Sequence, residues 1–174
     1  KKGGKMVQYN AFENVISVNF DEDECIEKAE LFVERAGYSN MIPVWVNNID
    51  STIYVNFAYK ENDVIVYCDL IKVKVEAGNG HILGLEANGY IYNHEERNYS
   101  PVKTESQARE MISNKVNIDK VQLAYIPTEW NTEILVYEYQ VTYKERTYFI
   151  CINANTLREE KIMLVIKDNG NFEV

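Results

Sequence analysis

The sequence is poor in the residues that most often carry chemistry. It has two histidines, three cysteines and three prolines among 174 residues. Cys25, Cys68 and Cys151 lie far apart and form no CxxC pair, so neither a zinc site nor a dithiol redox motif is signalled. An odd count argues against a complete disulfide framework. All three sit in apolar periodic segments and read as buried thiols, which leaves the redox compartment open. HExxH, P-loop and dinucleotide-binding patterns are missing. No serine has the glycine-flanked setting of a nucleophile elbow. No metal or cofactor is expected. No run of about 18 apolar residues occurs, so no helix is expected to cross a membrane. No signal peptide is visible, and a start at Lys1 rather than Met reads as a fragment or a processed form.

Positive charge is also short. Lysine and arginine number 18 against 27 acids, for a net charge of -9. Such a chain repels phosphate backbones and anionic membrane surfaces, so nucleic acid is not expected as a partner. A basic protein partner is compatible with the charge; the blander reading is good solubility alone. What the sequence does have is 46% hydrophobic residues and thirteen tyrosines. A packed core is therefore feasible, and strands are favoured because aromatic rings suit a half-buried pleated surface.

The local signals alternate between helix and strand. Asp21 with Glu24 makes a capping box, and Ile26, Ala29, Phe32, Val33 and Ala36 recur at helical spacing up to a stop at Gly37. The acids from Asp21 to Glu24 lack the ligand spacing of a calcium loop and suit a helix N-terminus. Strands are expected at Pro43–Val46, Thr52–Tyr59, Val64–Glu76 with a bend near Asp69, His81–Glu86 and Tyr90–Tyr92. The pattern then restarts. Thr104 with Gln107 makes a second capping box, followed by an apolar helix face of Ala108, Met111 and Ile112. Extended runs follow at Val116–Ile126, Glu133–Tyr143, Arg146–Asn153 and Lys161–Ile166, with a hairpin turn at Lys144-Glu145.

This restart is an internal repeat. Val73–Ala77 corresponds to Ile150–Ala154, with Ala77 and Ala154 77 positions apart, while the caps Asp21 and Thr104 stand 83 apart. The first copy is therefore six residues longer inside. The expected fold is α+β, two tandem copies of one helix packed on a small antiparallel sheet of about four strands. Gly4–Val7 resembles Gly80–Leu83, so residues 1–16 read as the closing strand of a truncated upstream copy. Residues 17–92 are then the first full domain, 93–103 a polar linker and 104–174 the second domain. Units this small bury modest cores, so a shared interface is expected.

Four strings carry a family resemblance: Val55–Tyr59, Lys72–Val75, Gly89-Tyr90-Ile91-Tyr92-Asn93-His94-Glu95-Glu96-Arg97, and Leu123–Glu129. In this order they resemble the C-terminal region of the YpeB family of spore-germination proteins, and the helix-plus-sheet copies resemble PepSY domains. The resemblance runs from about residue 14 to 168. It implies a spore protein on the outer side of the inner membrane, facing the cortex, whose family carries an N-terminal membrane anchor. It also implies a partner, a cortex-lytic peptidoglycan hydrolase of the SleB type, that is stabilised, localised or inhibited.

The candidate site residues are polar or aromatic. His94 beside Glu95 and Glu96 reads either as a base with a carboxylate partner or as part of a polar linker that bonds two domains. His81 follows a turn glycine and reads as a surface residue. Asn93, His94, Glu95 and Arg97, with Trp45 and Trp130, are the candidate partner or inter-domain contacts. The aromatic side chains Tyr54, Tyr67, Tyr137, Tyr139 and Tyr143 either pack on the helix of their own copy or leave a face open for a partner. Among 27 acids some pair is always close, so a glycosidase-like pair carries no signal. The favoured function is non-catalytic binding and regulation. The alternatives are a structural spacer that forms a homodimer, or an enzyme working through His94.

Overall fold

Helix α1, Glu22–Arg35, starts at its predicted cap. The computed structural model describes residues 4–12, 17–130, 132–168 and 171–173. The Glu24 N–H donates to Asp21 Oδ1 at 2.9 Å and the Asp21 N–H donates to Glu24 Oε2 at 3.0 Å, which completes the capping box. Such a cap stabilises a helix by about 1 kcal/mol. Cys25, Ala29 and Val33 form the buried stripe, one helical turn apart. Gly37 follows with a φ of 91°, a left-handed stop that glycine adopts freely.

The chain folds as two units. The body of the first is the chain up to Lys60 together with Cys68–Glu95, and that of the second is Glu61–Tyr67 with Glu96–Lys167. Residues after 167 are divided between them.

In the first unit, α1 is followed by the strands β2 (Met41–Ile49), β3 (Thr52–Glu61), β4 (Val64–Glu76) and β5 (Ile82–Glu86), with β1 (Gln8–Asn10) ahead of it. β3 pairs with β2 and β4, β5 pairs antiparallel with β4, and β1 pairs antiparallel with β5, Gln8 opposite Glu86. Ile53, Val55, Phe57 and Tyr59 are buried along one face of β3, as their alternation predicts. β2 is longer than Pro43–Val46, and its register shifts between Pro43 and Trp45. A bulge there tolerates a proline, which has no N–H for the ladder. Within the segment read as an upstream closing strand, residues 1–3 and 13–16 lie outside the described residues.

The second unit repeats the order. Helix α3 is Glu105–Arg109, counting α2 as the helix after β5 described below, and its capping box of Thr104 and Gln107 is complete. It leads into β6 (Asn117–Pro127), β7 (Glu133–Tyr143), β8 (Arg146–Asn153) and β9 (Glu159–Leu164), an antiparallel meander. The start of β4 runs parallel to β6 here, Val64 opposite Leu123. Ala108, Ile112, Leu135, Tyr137, Tyr139, Val141, Ile150 and Ile152 form its core. Tyr137 and Tyr139 donate from their hydroxyls to the carbonyls of Lys103 and Glu105, so these tyrosines do pack against their own helix. Burial pushes the Tyr139 hydroxyl up to about 12. Two three-residue strands, β10 (Ile166–Asp168) and β11 (Asn171–Glu173), end the chain.

The two copies share their hydrogen-bond landmarks. Ala77 N–H donates to Ser51 O at the start of β3, and Ala154 N–H donates to Leu135 O near the start of β7. The Ala77 carbonyl accepts from Asn19 and Phe20 just before the α1 cap, and the Ala154 carbonyl accepts from Lys103 just before the α3 cap. The α+β class and the helix-then-four-strands order are as expected.

Three expectations are corrected. Tyr90–Tyr92 is not a strand: Asn88–Asn93 forms helix α2, with Ile91 N–H bonded to Ala87 O and His94 N–H to Tyr90 O. Aromatic content favoured a strand, and packing against β4 overrode it. α3 ends at Arg109, and Met111 is exposed rather than part of an apolar face. Cys25 and Cys151 are buried, but Cys68 is only half-buried; none is in a disulfide. Among the described residues no helix is long and apolar enough to cross a membrane.

Candidate functional site

The Gly89–His94 string pins α2 onto three consecutive residues of β4. A Cβ on Gly89 would stand 2.8 Å from the Leu70 carbonyl oxygen and 3.1 Å from its nitrogen, so the close approach requires glycine. Asn93 Nδ2 donates to the Cys68 carbonyl at 2.8 Å. His94 Nδ1 lies 2.6 Å from Asp69 Oδ2. The Asp69 side chain is fully buried and that of His94 is 32% exposed. A buried carboxylate needs such a partner, because leaving it without one would cost several kcal/mol, on the order of 3–5.

Aromatic rings enclose the pair. Tyr90 stacks on the His94 ring at 4.2 Å, and Tyr59 meets it edge-on at 4.7 Å. Tyr38 packs edge-on against Tyr90 at 5.0 Å, and Lys5 Nζ sits 4.6 Å over the Tyr90 ring. The Tyr38 hydroxyl donates to Met6 O at 2.6 Å. Burial pushes the Tyr90 hydroxyl above its ordinary range, and the Asp69 carboxylate pushes it the same way.

A histidine with Nδ1 on a carboxylate is oriented as a base would be. A nucleophile is what the arrangement lacks: among the described residues no serine, threonine or cysteine hydrogen-bonds His94. Nor, among the described residues, is any group of three or more His, Cys, Asp or Glu side chains placed to hold a metal ion. The carboxylate beside His94 is Asp69, twenty-five positions away, and not the adjacent Glu95 or Glu96, which are exposed.

The other candidates fall elsewhere. Arg97 belongs to the second unit, where Nε and Nη2 donate to Glu133 Oε1 and Oε2 at 2.6 and 2.9 Å. Its side chain is 2% exposed and that of Glu133 21%, so this forked pair is part-buried. Trp45 is half-buried on β2, and His81 is exposed. Trp130 is 84% exposed in the turn between β6 and β7. That turn is braced by Thr128 N–H on Thr132 O at 2.8 Å and by a 2.7 Å contact between the two threonine hydroxyls.

Sequence reasoning missed three acids. Asp69 stood out only as an acid among apolar neighbours, and Glu138 is the lone acid of the run Ile134–Val141. Glu138 is 4% exposed and accepts from Tyr67 Oη at 3.0 Å and Gln122 Nε2 at 2.7 Å. Burial pushes its pKa up, against the pull of those two hydrogen bonds and Lys120. The third, Glu133, carried no local signal at all.

Comparison with known proteins agrees with this fold. A family model for the PepSY1 and PepSY2 domains of YpeB sporulation proteins matches residues 1–100. The sporulation protein YpeB of Halalkalibacterium halodurans is 32% identical over 163 residues, covering 93% of this chain and 36% of that protein. That of Oceanobacillus iheyensis is 32% identical over 166 residues, covering 92% and 36%. The chain thus spans little more than a third of the length of these relatives. The Bacillus megaterium YpeB C-terminal domain superimposes with a TM-score of 0.84 at 26% identity, covering 95% of this chain and 74% of that one. With the family model on more than half of the chain, and the same fold in a solved relative, this protein belongs to the YpeB family of sporulation proteins.

Proposed function

We propose that this chain is a non-catalytic binding and regulatory module acting in spore germination. Its partner in this reading is a cortex-lytic peptidoglycan hydrolase of the SleB type, which it stabilises, localises or inhibits on the outer side of the spore's inner membrane. Family membership supports a role in sporulation or germination. The observation that carries the non-catalytic part is the use of His94. The Asp69 contact that would orient a base here docks α2, the His94 ring is stacked on Tyr90, and among the described residues no serine, threonine or cysteine hydrogen-bonds it. Trp130 offers an exposed aromatic side chain to a partner, a residue type enriched in binding hot spots.

The test is direct. Purified chain and hydrolase are co-eluted at micromolar concentration, and hydrolysis of cortex fragments is measured with and without the chain. Co-elution with altered hydrolysis, weakened by Trp130→Ala, is the expected result. No co-elution and unchanged hydrolysis sinks the reading. A concentration-dependent homodimer without hydrolase contact would make the chain a spacer instead. Turnover of peptidoglycan by the chain alone, lost in His94→Ala, would make it an enzyme.

A further inference from the structure

Residues 5–11 strap together three parts of the first unit. Lys5 Nζ lies 3.4 Å from Tyr90 Oη on α2, and 4.6 and 4.9 Å from the centroids of the Tyr90 and Tyr38 rings. The Met6 carbonyl accepts from the Tyr38 hydroxyl just past α1, and the Val7 carbonyl accepts from Ala87 N–H at 2.9 Å. β1 then pairs with β5, and Ala11 N–H donates to Leu83 O at 2.6 Å. No residue in 4–12 is buried. The strap can therefore lift without opening the core, as segments with few buried contacts do.

α2 depends on such outside holds. It has six residues, and its N-cap, Ala87, makes no side-chain cap bond. A helix that short is unstable by itself in water. The bond from Ala87 N–H to Val7 fixes the residue from which the helix starts, and Ile91 N–H bonds the carbonyl of that same residue. Lys5 meets the ring that stacks on His94. We infer that residues 5–11 are a releasable strap whose closure holds α2 on β4, so that displacing the strap is felt at α2 and at the contact of His94 with Asp69. The coupling is reciprocal, since loosening α2 loosens the strap by the same factor. α2 also carries Tyr92, 72% exposed, so the strap governs how firmly an aromatic side chain is presented to solvent.

Hydrogen exchange of single amides, read by NMR on the full chain at one pH, tests this. Tyr38→Phe removes the hydroxyl that bonds Met6 O and keeps the ring. Ala11→Pro removes the donor to Leu83 O at the other end of the strap. In both variants Ala87 N–H is expected to exchange at least about fivefold faster, and Ile91 and His94 N–H to follow by a similar factor. The amides of β3 are expected to change less than about twofold. Asn93→Ala acts from the other side, by removing the donor to Cys68 O, and is expected to speed Ala11 N–H by at least about twofold. Faster exchange at Ala87 with none at Ile91 and His94 overturns the strap as a hold on α2. Unchanged exchange at Ala87 in both strap variants overturns it as a releasable segment. An equal rise across β3 means that the unit opens as a whole, which overturns it too. Unchanged exchange at Ala11 in Asn93→Ala breaks the reciprocity and with it the coupling.

Discussion

Glu76 and Asn153 end equivalent strands and perform the same task with different chemistry. Glu76 accepts from the N–H groups of Gly78 and Asn79 at 2.6 and 2.8 Å. Asn153 accepts through Oδ1 from those of Asn155 and Thr156 at 2.9 and 3.0 Å. Each side chain thus closes the turn that follows its strand, and each is buried. Glu76→Ala is expected to cost about 2–3 kcal/mol, since two donors lose a charged acceptor. Asn153→Ala is expected to cost less, about 1–2 kcal/mol. Urea unfolding of both variants checks the order, and equal costs would contradict it.

Gly89→Ala tests the docking of α2. The added methyl meets β4 backbone at 2.8 Å, and backbone cannot swing aside as a flexible side chain can. A loss of about 1–3 kcal/mol is expected. Faster amide hydrogen exchange over Asn88–Asn93 is expected to accompany it. Unchanged exchange there would show that α2 is not held by this contact.

Glu138 is expected to make the second unit sensitive to pH. Desolvation holds its folded pKa above the ordinary 4.5. Its protonated form is therefore favoured by folding. That contribution is complete below 4.5 and is lost as pH rises through the folded value. Glu138→Gln keeps an acceptor for Tyr67 and removes the titration. The variant is expected to be more stable than wild type at pH 7 and to have a flatter stability profile above pH 4.5. A variant less stable than wild type at pH 7 would count against it.

The β7–β8 hairpin holds stored strain. Lys144 and Glu145 form its two-residue loop with φ of 47° and 64°. Such a turn matches the twist of paired strands but suits asparagine and glycine. Glu145→Gly is expected to raise stability by about 1 kcal/mol, read as a higher melting temperature. A lower one would refute the argument.

Cys68 and Cys151 should differ in reactivity. Burial, with the nearby Glu138 carboxylate, pushes the Cys151 thiol up to about 12. A thiol held protonated and inaccessible reacts slowly. Iodoacetamide at pH 8 is expected to label half-buried Cys68 first, with Cys151 labelled only after unfolding. Early labelling of Cys151 in the native chain would contradict its placement.

Several features were legible because their partners are close in sequence. Asp21 and Glu24 are three positions apart, as are Thr104 and Gln107, and both boxes form. Alternation in Ile53–Tyr59 marked a buried face without reference to what covers it. The match between Val73–Ala77 and Ile150–Ala154 announced equivalent strand ends, and the bonds of Ala77 and Ala154 agree. The candidate site was less legible. The Gly89–Arg97 string stood out, but Tyr90 and Tyr92 pointed to a strand where a helix forms.

The sequence alone determined the caps, the alternation, the turn at Lys144-Glu145 and the phase of the repeat, because short-range sterics and hydrogen bonds settle these within a few residues. Only tertiary structure decided that His94 bonds Asp69, that Arg97 grips Glu133 and that Glu138 sits beneath Tyr67. Those pairs are separated by 25, 36 and 71 positions. No local pattern encodes them, since each exists only after strand pairing has closed the chain between its members.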